Sequence, residues 1–594
     1  MKQLSWRWRL GLMAGLALLV YLPAIRGGFV WDDDAYVTSN TALRSLRGLW
    51  EIWFQPGKLD QYYPLTYSSF WIDYHLWGLR PIGYHIVNVL LHALNALLVW
   101  KLLERLKIRG AWFASLLFLL HPVMVESVAW ITERKNLLSG LFCLSSLLAY
   151  LRFKKDASRL WPWYVTSFCL FVLALLGKTV TGTLPLVILL ILGWKEERFP
   201  GKDILRLIPF FAVAAVLSAI TLRLESGHIL NTGTGEWTFS FAERCLIAGR
   251  ALWFYLGKLA WPHPLIFIYP RWTITTASLG QWCFPAAYML LLIMLWSFRK
   301  RWGRGPFTAF AIFGVVLLPA LGFRSFFPMR FSFVADHFQY LATIAPFALA
   351  TSAMAGLIKQ QKVRIVLGIA VLMLLGGLSW KQCGAYKDLE SLWRDTLSKN
   401  PDAWLAHNNL GSILEQSGRA EDAEFHFSEA VRLKPDYGLA FNNWGFLKEK
   451  QGAPEKALEY YRKAVALEPQ TAEFHFYLGS CLHGLERIEE AIPHYQKAAE
   501  LLPTFSAPCY NLGSIFASRG EAENAVRWYR ETLRRNPRFI DAYLALGDLL
   551  SKTDKRDEAL IVYEEALKTD PGNTRIREHL AKALSLQPSS SGRN

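Results

Sequence analysis

The chain has 594 residues, of which 53% are hydrophobic, and a formal net charge of +17. Apolar runs of about 15–22 residues, long enough to cross a bilayer, recur up to residue 380 and then stop, which excludes a fully soluble protein. Residues 385–594 hold 27 Lys and Arg against 31 Asp and Glu, so the basic excess lies in the apolar part. This excludes a basic nucleic-acid-binding C-terminal domain and indicates contact with anionic lipid.

The first 25 residues are basic and then apolar, as in a secretion signal, but they lack a small-x-small cleavage site before Arg26. We therefore interpret them as a retained first span. With them, the candidate spans are residues 9–25, 83–101, 111–127, 137–151, 160–177, 179–194, 205–222, 282–297, 306–322, 337–357 and 364–380. The predicted fold is all-α, with a polytopic membrane domain of about 11 spans over residues 1–384 and a helical repeat domain after it.

Short basic loops predict the orientation of these spans. The clusters of Lys and Arg that lie on the side of the basic N-terminus are at residues 101–109, 152–159, 195–206, 299–304 and 359–364. By the positive-inside rule this side is the cytoplasm. The outward segments are then the long loop 26–82, the segments 128–136, 223–281 and 323–336, and the C-terminal half. We therefore expect an inner (cytoplasmic) membrane protein whose N-terminus is cytoplasmic and whose repeat domain is periplasmic.

One further segment, residues 244–261, is apolar enough to be an additional span, but Arg244, Arg250 and Lys258 interrupt it. A span here would move the basic cluster at 299–304 to the outer side. We therefore predict an interfacial helix.

A period of 34 residues runs through the C-terminal half. Small and aromatic residues recur in this register: Gly411, Gly445, Gly479, Gly513 and Gly547; Ala423, Ala457, Ala491, Ala525 and Ala559; Phe427, Tyr461, Tyr495, Tyr529 and Tyr563. With a proline at the end of each unit, this is the tetratricopeptide pattern of paired antiparallel helices. It predicts five repeats over residues 401–570, a linker and partial repeat over 385–400, and a capping helix with a disordered tail over 571–594.

Such an array presents a concave face to a protein or peptide. Asn408, Asn442, Asn443 and Asn511 fall on the first helices of the repeats, where asparagine side chains can hydrogen-bond an extended backbone. The alternative interpretation is that these side chains are simply solvated.

The stretch FVWDDD places Asp32, Asp33 and Asp34 directly after the first span. Ionisable groups near hydrocarbon are costly, which makes them functional candidates. In an extended backbone, at most two of the three side chains would converge on one point. One interpretation is a general base for an acceptor hydroxyl. A divalent metal site and an ordinary acidic start of a loop are the alternatives.

Other polar residues lie in or near the spans. In GYHIVNVLLHALN, His85, Asn88, His92 and Asn95 share one helix face, which either bonds neighbouring helices or lines a wet cavity.

Charged residues also mark the predicted outer rim. Glu126 and Arg134 follow the third span, Lys178 lies in the short turn GKTVTG, and His337 follows Asp336 at the tenth span. Arg134, Lys178 and His337 are predicted to converge on a phosphate, although each alone is also typical of an interfacial anchor.

Taken together, these motifs resemble a known family. The ordered set FVWDDDAYVTSN, YYPLTYSSFW, GYHIVNVLLHALN, HPVMVESVAWITERKNLLSGLF, GKTVTGTLPL and VADHFQYL, followed by tetratricopeptide repeats, resembles the transmembrane and tetratricopeptide-repeat O-mannosyltransferases and their bacterial relatives. These are multispanning glycosyltransferases of the GT-C class. The resemblance covers nearly the whole chain.

The resemblance implies a lipid-phosphate-linked sugar donor, an inverting transfer on the extracytoplasmic face, and an acidic pair of the first loop at the catalytic centre. The matching pair is Asp32 and Asp33, with Asp34 an extra acid, and Lys178 matches the family's lysine after the fifth span. Glu126 and Arg134 fall in the family's HP…E…R segment. At the tenth span the family's Glu-Arg is replaced by Asp336-His337, and a histidine is not always charged at neutral pH.

We therefore predict a membrane glycosyltransferase that transfers a sugar from a polyprenyl-phosphate-linked donor to a hydroxyl of a protein acceptor. The predicted catalytic residues are Asp32, Asp33 and Glu126, and the predicted substrate-binding residues are Asp34, His85, His92, Arg134, Lys178 and His337. We expect no metal cofactor, and the seven cysteines show no metal-ligand spacing. The alternative hypothesis is a non-enzymatic membrane-anchored scaffold for envelope assembly or secretion, which would need no outward acidic pair.

Overall fold

The computed structural model describes residues 6–59, 61–155, 160–197, 201–230, 238–325 and 327–585. Within these ranges the regular secondary structure is helical, without a β-strand. The chain divides into two compact units, Met1–Ala403 and Trp404–Asn594. The predicted all-α fold, a helical membrane domain followed by repeats, is confirmed. The tail predicted to be disordered lies from residue 586 onward, outside the described residues.

The first unit is built from helices joined by short turns. In chain order they are α1 Trp6–Val20, α2 Leu22–Ile25, α3 Leu46–Phe54, α4 Pro64–Trp77, α5 Pro81–Arg105, α6 Ala111–Leu120, α7 Val125–Ala129, α8 Arg134–Lys155, α9 Leu160–Gly177, α10 Leu184–Lys195, α11 Gly201–Leu230, α12 Phe241–Ala260, α13 Leu279–Ser297, α14 Arg299–Trp302, α15 Gly305–Leu317, α16 Ile344–Leu357, α17 Gln361–Cys383 and α18 Leu389–Lys399.

Every predicted span falls on one or two of these helices. Among the described residues, five helical segments are long and apolar enough to cross a membrane: Pro81–Arg105, Ile131–Lys155, Gly201–Leu224, Leu279–Ser297 and Gln361–Tyr386. α6 and the segment Pro122–Ala129 add a sixth if the bent pair counts as one span. Shorter apolar helical segments, of 10–17 residues, are Trp161–Gly177, Thr179–Lys195, Gly305–Ala320 and Ile344–Leu357. The chain is therefore a membrane protein, and the count of about 11 spans stays a prediction.

The segment predicted as an interfacial helix forms α12. The Arg250 guanidinium lies 4.5 Å from the centroid of the Trp272 ring. The middle of α12 is buried and includes Leu246, Ala251 and Tyr255, whereas its two ends, Phe241 and Ala260, are exposed. Its position in the membrane stays a prediction.

The third predicted span is broken, and this break builds the interior of the site. After Leu120 the chain bends by 56° into Pro122–Ala129. Pro122 lacks an N–H group and disfavours the helical conformation of the residue before it, and His121 is extended (φ −74°, ψ 132°). The chain then stays inside the fold, because every residue from 121 to 140 is buried. The segment 128–136, predicted as an outward turn, therefore contributes its charged side chains to the interior.

The second unit is a stack of helix pairs. Its helices are α19 Trp404–Gln416, α20 Ala420–Leu433, α21 Gly438–Lys450, α22 Pro454–Leu467, α23 Ala472–Gly484, α24 Ile488–Leu501, α25 Ala507–Ser518, α26 Ala522–Arg535, α27 Ile540–Lys552, α28 Arg556–Thr569 and α29 Thr574–Ser585. α29 lies where the capping helix is predicted.

The recurring small and aromatic residues pack against each other within each pair. A Cβ placed on Gly513 would lie 2.6 Å from the Tyr529 ring, so only glycine lets the two helices approach this closely. The 34-residue period therefore reflects a packing contact that recurs in each repeat, in which an aromatic ring fills the space beside the glycine. The aromatic of the predicted partial repeat, Trp393, belongs to the first unit, where its ring contacts those of Trp31 and Phe267.

Candidate active site

The three consecutive aspartates have three different environments. The chain turns at Trp31, whose φ of +50° is uncommon for a residue other than glycine, and a π-helical turn follows at Asp34–Thr38. The expectation of an extended backbone here is therefore wrong. In a helical turn, successive side chains point in different directions rather than alternating between two sides. Asp33 is fully buried, Asp32 is half-buried and Asp34 is exposed.

Asp33 joins the first loop to the interior turn that precedes α8. Its Oδ1 accepts hydrogen bonds from the Thr132 N–H at 2.8 Å and the Thr132 hydroxyl at 2.6 Å, and its Oδ2 accepts one from the Val30 N–H at 2.8 Å. Burial raises the pKa of Asp33 to about 7, although these hydrogen bonds act in the opposite direction. With both oxygens engaged, this carboxyl is suited to hold the loop in place.

Asp32 and Asp34 point elsewhere. The charge of Asp32 lies close enough to act on Lys135 and on Tyr36. Asp34 accepts a hydrogen bond from the next backbone N–H, that of Ala35, at 2.6 Å. Of the three, Asp32 is therefore the carboxylate that is both reachable and next to the buried charged groups.

Those buried groups form a cluster around Glu133, which is 1% exposed. Glu133 Oε1 lies 3.0 Å from the Lys135 ammonium, and Oε2 lies 3.1 Å from the Lys178 ammonium. Asn136 donates a hydrogen bond to Glu133 Oε2 at 2.7 Å and accepts one from Lys178 at 2.9 Å. One carboxylate thus holds two ammonium groups at its two oxygens.

Glu126 and His337 extend this cluster from the other side. Glu126 Oε1 lies 3.0 Å from His337 Nδ1, and Glu126 Oε2 accepts the His337 backbone N–H at 2.9 Å. Asn136 also donates to the His337 carbonyl at 3.0 Å, which ties the two halves together. The neighbouring Asp336 turns away and accepts the Tyr269 hydroxyl at 2.9 Å. Burial and the charge of Glu126 raise the pKa of Asp336 well above its usual value.

Arg134, adjacent in sequence to this cluster, is directed away from it. Its guanidinium is fully buried and forms an ion pair with Asp73 of α4. It also donates to Asn88 Oδ1 at 2.7 Å and to the Tyr84 carbonyl at 2.9 Å, both on α5. The structure thus brings Lys178 and His337 together, whereas the Arg134 side chain connects α4, α5 and α8.

The polar stripe of α5 faces neighbouring helices. His92 lies 2.8 Å from the Tyr340 hydroxyl and 3.1 Å from the Leu119 carbonyl. Asn95 donates to the Leu137 carbonyl at 2.9 Å, and His85 Nε2 lies 3.3 Å from the Gly28 carbonyl. These contacts correspond to the helix-bonding interpretation of the stripe, and the substrate-binding role of His85 and His92 stays a prediction.

A cavity of about 620 Å³ leads from the charged cluster along the helices. Lys178, Asn136 and His337 line one part of it, and Trp194, Trp302 and Arg304 line another. α10 spans 12 residues, or about 18 Å, so Lys178 and Trp194 lie near its opposite ends. Between them the wall is mainly aliphatic and includes Leu144, Leu184, Val187 and Ile344. The cavity therefore has a long apolar wall, with the buried Lys178 in one part and the half-buried Arg304 in the other.

Lys178 is the cation next to the charged cluster around Glu133. Burial lowers the pKa of Lys178 to about 8, and the negative charge of Glu133 offsets part of this effect. Lys178 therefore keeps its positive charge at neutral pH while it lies inside the protein.

The asparagines of the repeats are partly engaged with each other. Asn443 donates to Asn408 Oδ1 at 3.0 Å, which joins the first helices of two successive repeats. Asn408 and Asn442 are buried, while Asn443 and Asn511 are half-buried. Their role in protein binding stays a prediction.

The sequence-based site omitted Glu133, Lys135 and Asn136 of the cluster, and also Asp73, the partner of Arg134. A signal was available in TERKN, where charges of both signs are flanked by apolar runs, a pattern that can mark buried ion pairs. Within the described ranges, no group of three or more His, Cys, Asp or Glu side chains is placed to hold a metal ion. A metal-independent reaction stays a prediction.

Comparisons with known proteins identify repeat models that match the C-terminal part and relatives that cover about two thirds of the chain. Tetratricopeptide-repeat family models match residues 390–438, 445–504, 509–540 and 540–583. The chain is 25% identical over 426 residues to protein O-mannosyl-transferase F38B6.6 of Caenorhabditis elegans, covering 68% of this chain and 59% of that protein. It is 26% identical over 480 residues to human protein O-mannosyl-transferase TMTC4, covering 68% of this chain and 64% of that protein.

Among solved structures, the crystal structure of MamA is similar at 26% identity, covering 27% of this chain and 95% of that chain, with a TM-score of 0.26. The chain spans less than two thirds of the length of these two O-mannosyl-transferases. The resemblance found in the motifs is confirmed: the chain is related in sequence to proteins named protein O-mannosyl-transferases, and its C-terminal part consists of tetratricopeptide repeats.

Proposed function

We propose that this protein is a membrane glycosyltransferase that transfers a sugar from a polyprenyl-phosphate-linked donor to a hydroxyl group of a protein on the extracytoplasmic face. The observation that carries the proposal is the cavity, whose apolar wall suits an isoprenoid chain and whose cationic end at Lys178 suits a phosphate. The similarity to the named O-mannosyl-transferases supports sugar transfer to protein. The repeats supply a surface for the acceptor or for a partner.

The proposed reaction is a single displacement. The acceptor oxygen forms a bond to the anomeric carbon of the sugar as the bond from that carbon to the phosphate oxygen breaks. Asp32 takes the proton of the acceptor hydroxyl, because it is half-buried, whereas Asp33 is enclosed by its hydrogen bonds. Lys178, with His337 held by Glu126, stabilises the charge of the departing lipid phosphate.

Sugar transfer is the direct test. The full-length chain in nanodiscs is expected to move label from tritiated polyprenyl-phosphate hexoses, with mannose tried first, into protein of a membrane extract from cells lacking this chain. The measurement is protein-bound label over time. A matched reaction with a free sugar, which has no lipid phosphate, serves as the control. If no donor in the series yields more label than this control, the enzyme proposal is wrong and the scaffold hypothesis is favoured.

The proposed orientation is tested by labelling single cysteines in a variant without native cysteines. A cysteine replacing Gln451, exposed in the repeats, is expected to react in intact cells with a thiol reagent that does not cross the inner membrane. A cysteine replacing Lys155, exposed in a predicted cytoplasmic loop, is expected to react only after the inner membrane is permeabilised. The reverse pattern would place the repeats in the cytoplasm.

A further inference from the structure

A row of opposite charges connects the first loop to the cavity. In order, it consists of Asp32, Lys135, Glu133 and Lys178, and its centre is the Glu133 carboxylate described above. Its inner members are almost completely buried, with Glu133 1%, Lys135 7% and Lys178 7% exposed. Buried charges of this kind are stable only when they are paired, so the position of each one depends on its neighbours.

The two lysines face different parts of the site. Lys178 lines the cavity, next to Asn136 and His337. The Lys135 ammonium lies on the side of the first loop, 5.2 Å from the Tyr36 ring centroid and 5.8 Å from that of Trp130. Tyr36 belongs to the turn that follows Asp32, and the Asp32 charge acts on Lys135. One ammonium is therefore placed for the donor and the other for the carboxylate proposed as the base.

We propose that Glu133 is a positioning residue that holds Lys178 for the phosphate of the donor and Lys135 beside Asp32, so that the leaving group and the base lie on either side of one carboxylate. This inference rests on the proposed function. It assigns separate tasks to the two lysines: Lys178 binds phosphate, and Lys135 keeps Asp32 ionised and oriented for proton transfer. It also removes Arg134 from the phosphate site, because that guanidinium is paired with Asp73.

The physical reason for Glu133 is the repulsion between two buried ammonium groups. Without a carboxylate between them, the two lysines would move apart or one would lose its proton. The charged groups that face Lys178 are Glu133, Lys135 and Glu126, with His337 beside them. Of these, Glu133 is the group in direct contact, so its removal is expected to have the largest effect on the Lys178 charge.

Binding of farnesyl phosphate, measured by microscale thermophoresis on the full-length protein, tests the donor side. Lys178→Met and Glu133→Gln are each expected to weaken binding by about tenfold or more, since each disturbs a charge-assisted contact. Lys135→Met is expected to change the affinity by less than about threefold, because this side chain does not face the cavity. Lys155→Met, an exposed lysine at the far end of α8, is the matched control and should bind like wild type.

The sugar-transfer assay tests the proposed role of Lys135 beside the base Asp32. Lys135→Met is expected to lower kcat by about 100-fold with little change in the donor KM, whereas Glu133→Gln should change both. Glu133→Asp should recover part of the loss, because it restores the charge. A thermal unfolding curve for each variant shows whether it is folded.

The pH profile separates positioning from a merely structural effect. In wild type, Lys178 has a pKa of about 8 and should hold farnesyl phosphate up to that pH. In Glu133→Gln the carboxylate charge that offsets the effect of burial is absent, so the pKa of Lys178 should fall further. The affinity for farnesyl phosphate, relative to wild type, should therefore weaken as the pH rises from 6 to 8. Comparing the two proteins at each pH cancels the titration of the ligand itself.

The outcomes are distinguishable. If wild type neither binds farnesyl phosphate nor transfers sugar, the proposed function fails. If wild type does both, and folded Glu133→Gln behaves like wild type in affinity, kcat and pH profile, Glu133 has no positioning role. Equal loss of phosphate binding in Lys135→Met and Lys178→Met would overturn the division of tasks between the lysines.

Discussion

Replacing Asp32 with Asn is expected to lower sugar transfer by about 10²–10⁴-fold, the usual contribution of a general base, while the protein still folds and inserts into the membrane. Asp32 is half-buried, and its charge lies close to Lys135 and Tyr36. Asn has nearly the same shape but takes no proton at neutral pH. The measurement is initial transfer rate per folded protein, with folding judged by thermal unfolding in detergent.

The two neighbouring aspartates serve as internal controls. Asp34→Asn should leave stability unchanged, because Asp34 is exposed, and a lower transfer rate in this variant would support its predicted substrate-binding role. Asp33→Asn should lower stability by about 1–3 kcal/mol, because the amide nitrogen of Asn would face the Val30 N–H, which now donates to a carboxyl oxygen. Equal transfer by Asp32→Asn and wild type would contradict the assignment of the base to Asp32.

The stability effect of Asp33 also has a pH signature. Its pKa is raised from 3.8 to about 7 in the folded protein, so the folded state binds the proton more tightly than the unfolded state. The resulting contribution to stability is fully present below about pH 4 and is lost as the pH rises through about 7. In Asp33→Asn this part of the pH dependence should disappear, which a series of unfolding curves would show.

Replacing Arg134 with Met is expected to destabilise the membrane unit by about 3–5 kcal/mol, because it leaves the Asp73 carboxylate buried without its partner. Typical proteins are stable by only about 5–15 kcal/mol, so the variant should accumulate poorly and unfold at lower temperature. The Asn88 and Tyr84 acceptors would lose their donor as well. The measurements are the amount of inserted protein and its unfolding temperature.

A double replacement tests whether the ion pair is the cause. Arg134→Met combined with Asp73→Leu removes both charges and should recover much of the stability that either single change loses. Lys155→Met on the same helix should have no effect, because Lys155 is exposed. An Arg134→Met protein that folds like wild type but no longer binds farnesyl phosphate would show instead that Arg134 contacts the phosphate.

The overall architecture follows from local patterns in the sequence. Continuous apolar runs of about 20 residues form helices in a bilayer, because a helix satisfies its backbone hydrogen bonds within the run itself. The interval of 34 residues in the repeats is equally local, since each Gly such as Gly513 packs against an aromatic such as Tyr529 only 16 residues later in the chain. Composition and spacing were therefore sufficient for the all-α fold and for the repeat array.

The sequence by itself also indicated the charged residues of the candidate site: acids after the first predicted span and a lysine after the fifth. Only the tertiary structure showed that their environments differ. Asp32 and Asp33 differ because a turn directs one carboxyl to Thr132, 99 residues away. Arg134 and Lys135 differ because neighbouring positions on a helix point to different sides, one to Asp73 and the other to Glu133. The partner of a buried charge is set by packing between distant segments, and no local pattern specifies that partner.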